Sequence, residues 1–288
     1  MCSSDLGIAG ALWCVTGFQY RHASRHDIIS TMIETASVRT EPCARRIRVV
    51  VAGTVIADTT AAIYLFEQGR LPVYYVPAAD VRADLLHASG TTSVCPRKGT
   101  ASSFSVQVPA DREPARRVDM AWRYTSPTAG CELLADYIAF DWNSADSWFE
   151  EDDEVFKHAR DPYHRVDTLH SSRHVQVFID GVQVANSTSP RLLFETGFPT
   201  RYYLPKVDVR LDLLVPSATR SVCPYKGTAS YYSVQLPDGG RLVPDIVWYY
   251  PAPIAECPKI ENLLCFYNEK VDIVVDGVAQ PRPVTPWS

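Results

Sequence analysis

No Cys-x-x-Cys pair occurs among the eight cysteines of this 288-residue chain, which removes the usual signature of a structural zinc site. Eight cysteines spread over that length do not make a disulfide framework either, so reduced thiols in the cytoplasm are the expectation. Positive charge is also short: 28 Lys and Arg stand against 33 Asp and Glu, a net charge of −5. Such a chain exerts no long-range pull on nucleic acid or on an anionic membrane, and the Arg45-Arg46 and Arg116-Arg117 pairs are too short to make a patch. The apolar run at residues 6–18 is too short to span a bilayer, and only Asp5 precedes it where a secretory signal wants Lys or Arg. Helical periodicity is missing as well. No stretch of the repeating unit described next keeps a 3.6-residue apolar period over three turns, although residues 132–140 suggest a short helix.

What the chain has is a duplication. Residues 91–107 and 219–235 agree at 13 of 17 positions without a gap, around Ser93-Val94-Cys95-Pro96-Arg97-Lys98-Gly99 and Ser221-Val222-Cys223-Pro224-Tyr225-Lys226-Gly227. The same offset carries Leu65-Phe66-Glu67 onto Leu193-Phe194-Glu195 and Tyr74-Tyr75 onto Tyr202-Tyr203. Past the Lys-Gly turn a slightly smaller offset brings Trp122, Tyr124 and Cys131 onto Trp248, Tyr250 and Cys257. A unit of roughly a hundred residues can close its own core, so it is a domain rather than a solenoid repeat. The expected division is an extension at 1–45, a first repeat at 46–142, a linker at 143–173, a second repeat at 174–280 and a tail at 281–288.

Within each unit the pattern is β. Val175–Ile179 followed by Asp180-Gly181 and a second apolar run predicts a tight hairpin, because Asp-Gly supplies the positive φ values such a turn needs. The words around Ala52-Gly53 and Asp276-Gly277 repeat it, the last as a strand that caps the second domain's sheet. The stretch between the units, from Asp141 to His174, carries two tryptophans, Trp142 and Trp148, an acidic run at 150–154, and His158, His164, His170 and His174 beside several aspartates. It is expected to lie across one or both domains rather than free in solution. The irregular spacing of the histidines meets no zinc-ligand pattern, and no metal or cofactor is assigned.

Three clusters carry candidate chemistry. Cys223 stands three residues before Lys226 in a Pro-Gly turn: the thiol is either a nucleophile with a lowered pKa or a small buried residue, and the lysine either holds an anion or is solvated. Glu195 with Arg201, Tyr202 and Tyr203 can gather a carboxylate, a guanidinium and phenols at one mouth, or be a structural Glu–Arg pair. Trp248 and Tyr250 share one strand face, for core packing or ligand stacking. Equivalent cysteines invite Cys95–Cys131 and Cys223–Cys257 disulfides, against which a reducing compartment argues.

The words Leu-Phe-Glu-Thr-Gly (193 to 197), Thr-Arg-Tyr-Tyr-Leu-Pro (200 to 205), Cys-Pro-Tyr-Lys-Gly-Thr-Ala-Ser-Tyr (223 to 231), Ile-Val-Trp-Tyr-Tyr (246 to 250) and Phe-Tyr-Asn-Glu-Lys-Val (266 to 271) closely resemble the domain of unknown function 427 family. Linker words at 148–152 and 160–167 look like those of its two-domain members. The resemblance implies an all-β protein of two tandem small β-tent-like domains joined by an ordered linker. It is a fold similar to methionine sulfoxide reductase B, the formaldehyde-activating glutathione enzymes and the thalidomide-binding domain of cereblon. Many of those hold zinc through two Cys-x-x-Cys pairs; this chain has neither, so the metal is not carried over, nor is a reductase site. A nucleotidyltransferase label is sometimes attached to the family, but no Gly-Ser followed by an Asp-x-Asp pair is present to hold two metal ions.

The first unit has Val73, Arg97 and Ser103 where the second has Arg201, Tyr225 and Tyr231, so the working copy is expected to be the second, with the first as scaffold or as one wall of an interdomain pocket. The leading expectation is a cytoplasmic binding protein for a small polar or anionic molecule, recognised through Glu195, Arg201, Tyr202, Tyr225, Lys226 and Trp248, with no nucleic-acid or membrane partner. The alternatives are an enzyme using Glu195 as acid/base with Lys226 or Cys223, and a structural or protein-interaction module.

Overall fold

The computed structural model describes residues 38–109, 113–237 and 239–288, so the expectations for residues 1–37 of the N-terminal extension lie outside the described residues, while its last part carries the strand Val38–Pro42. Each half consists of a seven-stranded and a four-stranded sheet, and every strand pairing is antiparallel. In the first half the large sheet runs, in spatial order, Val38–Pro42, Ile63–Glu67, Val73–Pro77, Tyr137–Phe140, Ala115–Pro127, Gly99–Val108 and Leu86–Cys95. The second half repeats that order with Val166–His170, Arg191–Glu195, Arg201–Leu204, Leu264–Phe266, Leu242–Tyr249, Gly227–Gln235 and Leu214–Cys223. No described helix is long and apolar enough to cross a membrane. The helix suggested at 132–140 is instead a 3-10 turn, Glu132–Asp136, running into the strand Tyr137–Phe140. The turn ends where Tyr137 goes extended, and that strand joins the sheet between Val73–Pro77 and Ala115–Pro127.

The small sheets are built on the three predicted hairpins. Ala52-Gly53, Asp180-Gly181 and Asp276-Gly277 all have positive φ at both central positions, the type I′ condition that matches strand twist. Ala52 sits at φ 48° where the second repeat has Asp180. Ala52→Asn is therefore expected to raise stability by about 0.5–1 kcal/mol, read from the denaturant midpoint at unchanged slope.

The segment between the repeats is divided. Its strands Ser147–Glu150 and Asp153–Val155 form a hairpin that adds to the first small sheet through Ile47–Val51, as Asp272–Val275 does beside Val175–Ile179 in the second. Val166–His170 is instead the edge strand of the second large sheet.

Alternation along the strands of each large sheet gives it two apolar faces. One packs on the small sheet, around Ile47, Val49, Tyr74 and Phe140 in the first half and Val175, Leu204, Ile246 and Phe266 in the second. The other face carries Leu193, Tyr203, Tyr231, Trp248 and Tyr250, with Leu65, Tyr75 and Tyr124 as first-half equivalents. This second face bears one cavity in each half.

Candidate functional site

On the outer face of the second large sheet lies a cavity of about 530 Å³. Its floor follows from strand parity: Leu193 and Glu195, then Arg201 and Tyr203, then Tyr231, then Trp248 and Tyr250 all point to the same side. The turn after Leu214–Cys223 brings Cys223, Tyr225 and Lys226 to the rim. Gly227 holds that turn at φ 100°, a value that favours glycine. Leu71 of the first repeat lines the same cavity, so the first half does supply part of a wall.

A lysine and a histidine converge on one oxygen of Glu195. Lys226 Nζ stands 2.5 Å from Oε1 and His164 Nε2 3.0 Å from the same atom. Oε2 has no hydrogen-bond partner among the described residues and remains available to a ligand donor. The His164 ring stacks on Tyr225 at 4.1 Å between centroids, and the Tyr225 hydroxyl accepts a hydrogen bond from the Asp161 amide at 2.8 Å. Burial pushes the Tyr225 phenol up to about 12, and burial likewise drives Tyr203 and Tyr250 well above the usual phenol range. These rings are neutral hydroxyl donors and acceptors at any ordinary pH. Trp248 Nε1 spends its hydrogen on the Tyr203 hydroxyl at 3.0 Å.

Arg201 does not pair with Glu195. Its guanidinium makes a two-pronged bond to Glu269 at 2.8 and 2.7 Å, both side chains being almost wholly buried, and the Thr285 hydroxyl donates to the same carboxylate at 2.6 Å. Burial opposes ionisation of Glu269, and the Arg201 fork with the Thr285 bond outweighs it, holding the acid down at about 2. The guanidinium lies over Trp248 and Trp287, which brings the C-terminal tail to the cavity wall.

Of the residues expected from sequence, Glu195, Arg201, Tyr225, Lys226, Trp248 and Cys223 line this one cavity. Tyr202 does not. Its parity turns it to the opposite face, against the inter-sheet core, and Tyr203 takes the place beside the cavity. Cys223 is half-buried on the wall; all six described cysteines are free thiols, so neither proposed disulfide is formed. His164 entered the sequence reading only as one of four irregularly spaced histidines, and its pairing across 31 residues to Glu195 has no local signal. Trp287 and Glu269 were missed for the same reason. Among the described residues no group of three or more His, Cys, Asp or Glu side chains is placed to hold a metal ion.

Comparison with known families decides what the chain is. The family described as domain of unknown function (DUF427) matches residues 39–151 and 167–277. The chain belongs to this family. It is a tandem DUF427 protein, and the two matched segments fall on either side of the division of the linker seen in the fold. No curated protein matches the chain.

Proposed function

We propose that this DUF427 protein binds a small polar molecule with a flat unsaturated body in the second-repeat cavity. The observation that carries the reading is the convergence of Glu195, Lys226 and His164 inside an aromatic-walled cavity of about 530 Å³, within the size range of small-molecule sites. Phe198, Tyr225 and Trp287 keep exposed ring surface for stacking above the buried floor of Tyr203, Tyr231, Trp248 and Tyr250, while Glu195 Oε2 accepts from the ligand and Lys226 donates to it. Lys226 and Arg201 each already face a carboxylate, which favours a neutral ligand with both a donor and an acceptor over a bare anion. The free thiols fit a reducing compartment, and we place the protein in the cytoplasm on that ground.

The same triad supports a second reading, an enzyme with Glu195 as acid/base and Lys226 as electrostatic partner, because the groups lie within hydrogen-bond reach of one another in a concave site.

A thermal-shift screen of heterocyclic amides, tested beside Glu195→Gln and Trp248→Phe, checks the proposal. A ligand at a hundred times its dissociation constant stabilises the fold by about 2.7 kcal/mol, a shift of several degrees. The expected result is a hit on the wild type that fades in both variants; a hit that is chemically altered on incubation selects the enzyme. Hits that shift all three proteins equally, or none on the wild type, overturn the site.

A further inference from the structure

The first repeat has its own cavity, of about 320 Å³, at the equivalent place on its large sheet. Its floor keeps the pattern of the second: Leu65, Tyr75, Trp122 and Tyr124 stand where the other repeat has Leu193, Tyr203, Trp248 and Tyr250, and Trp122 Nε1 again donates to the tyrosine hydroxyl, at 3.2 Å. The carboxylate–ammonium pair is kept too, with Lys98 Nζ 2.7 Å from Glu67 Oε2.

What differs is charge. Two wall aromatics of the second repeat, Phe198 and Tyr225, are arginines in the first, Arg70 and Arg97, under the offset that aligns the repeats. The one wall arginine of the second, Arg201, is Val73. Arg97 reaches Glu67 Oε1 at 3.0 Å and Arg70 approaches Oε2 at 3.8 Å, so three cations surround a single buried carboxylate. In the second cavity Lys226 faces Glu195 and Arg201 faces Glu269, one carboxylate for each. Lys98 holds Glu67 below the usual carboxylate range through its hydrogen bond, so the carboxylate is ionised at neutral pH and the local excess is two positive charges.

We infer that the first-repeat cavity is a second binding site, for a small anion carrying a flat ring: an aromatic carboxylate or an aryl phosphate. The ring lies on Trp122, over the buried Tyr75 and Tyr124, and the anionic group meets Lys98, Arg70 and the Ser93 hydroxyl at the charged end. The site does not depend on the ligand proposed for the second repeat. Leu71 lines both cavities.

Isothermal titration of the full chain with benzoate and phenyl phosphate tests this, with inorganic phosphate as the ring-free probe. The wild type is expected to bind at least one ringed anion, with affinity falling as salt rises. Lys98→Met is expected to weaken it about tenfold, the loss of one charge-assisted hydrogen bond. Glu67→Gln is expected to tighten binding, since it frees the cations from their internal partner; a merely structural role for Glu67 predicts the opposite. Arg241→Met, which removes the same charge from an exposed arginine outside both cavities, is expected to leave binding unchanged. No binding of either ringed probe by the wild type, equal losses in Lys98→Met and Arg241→Met, weaker binding in Glu67→Gln, or inorganic phosphate bound as tightly as the ringed anions would each overturn the inference.

Discussion

Glu269→Gln is expected to lose about 3–5 kcal/mol of stability, because it leaves the Arg201 guanidinium buried without a counter-charge. Both partners are nearly inaccessible, Arg201 at 7% and Glu269 at 0% side-chain exposure, so water cannot replace the lost carboxylate. Arg201→Leu alone strands the opposite charge and is expected to cost a similar amount. The double variant Arg201→Leu with Glu269→Leu is expected to recover most of the loss, since replacing a buried pair by apolar groups is often neutral. Urea midpoints of the four proteins close this cycle; additive losses would show that the pair does not interact as drawn. The acid has a matching pH signature. Its folded value is depressed from 4.5 to about 2, so its contribution is fully present above the ordinary glutamate range and is lost as pH falls from there towards 2. The wild type should therefore lose more stability between pH 5 and pH 3 than Glu269→Gln does.

The second large effect is expected at Glu150, which is 3% exposed and accepts hydrogen bonds from Arg45, Arg160 and the Tyr74 hydroxyl. Glu150→Ala leaves the Arg160 guanidinium and the buried Tyr74 phenol without their shared acceptor, while the half-exposed Arg45 turns to water, at a cost of about 3 kcal/mol. Arg160 also reaches Glu256 of the second repeat at 3.0 Å, so this hub ties the halves together. Arg160→Met is accordingly expected to split a single unfolding transition into two, seen by calorimetry as a calorimetric enthalpy exceeding the van't Hoff value. A single sharp transition in that variant would assign the coupling of the halves elsewhere.

Local rules made part of this legible in advance. Asp180-Gly181 can only be a tight turn, and an offset shared by Glu67, Lys98 and Trp122 with Glu195, Lys226 and Trp248 fixed which residues recur together. Strand parity was harder. A pair such as Tyr202-Tyr203 places one ring on each face of the sheet, and adjacent identical residues give no hint of which side is which; the structure turns Tyr203 to the cavity. Partners distant in the chain left no trace at all. Arg201 and Glu269 are 68 residues apart, and nothing near either signals the other. The closing hairpin of the first repeat went unread because its residues, Ser147–Val155 in extent, share little side-chain chemistry with the Ile-Val-Val-Asp-Gly words that do the same job in the second. Their equivalence lies in backbone pairing beside Ile47–Val51 and Val175–Ile179.

That division of the inter-repeat segment decides how the molecule can be cut. A second repeat excised at residue 174 would lose His164 from its cavity, and it would also lose the edge strand Val166–His170. The strand Arg191–Glu195 would then show a bare row of amides and carbonyls with Phe194 beside it, a template for self-association. A cut between Val155 and Arg160 instead gives each piece a complete pair of sheets, at the sacrifice of the Arg160–Glu150 contact. The historical unit of duplication, on this geometry, ran from one edge strand to the closing hairpin, and its seam lies in the few residues between those strands.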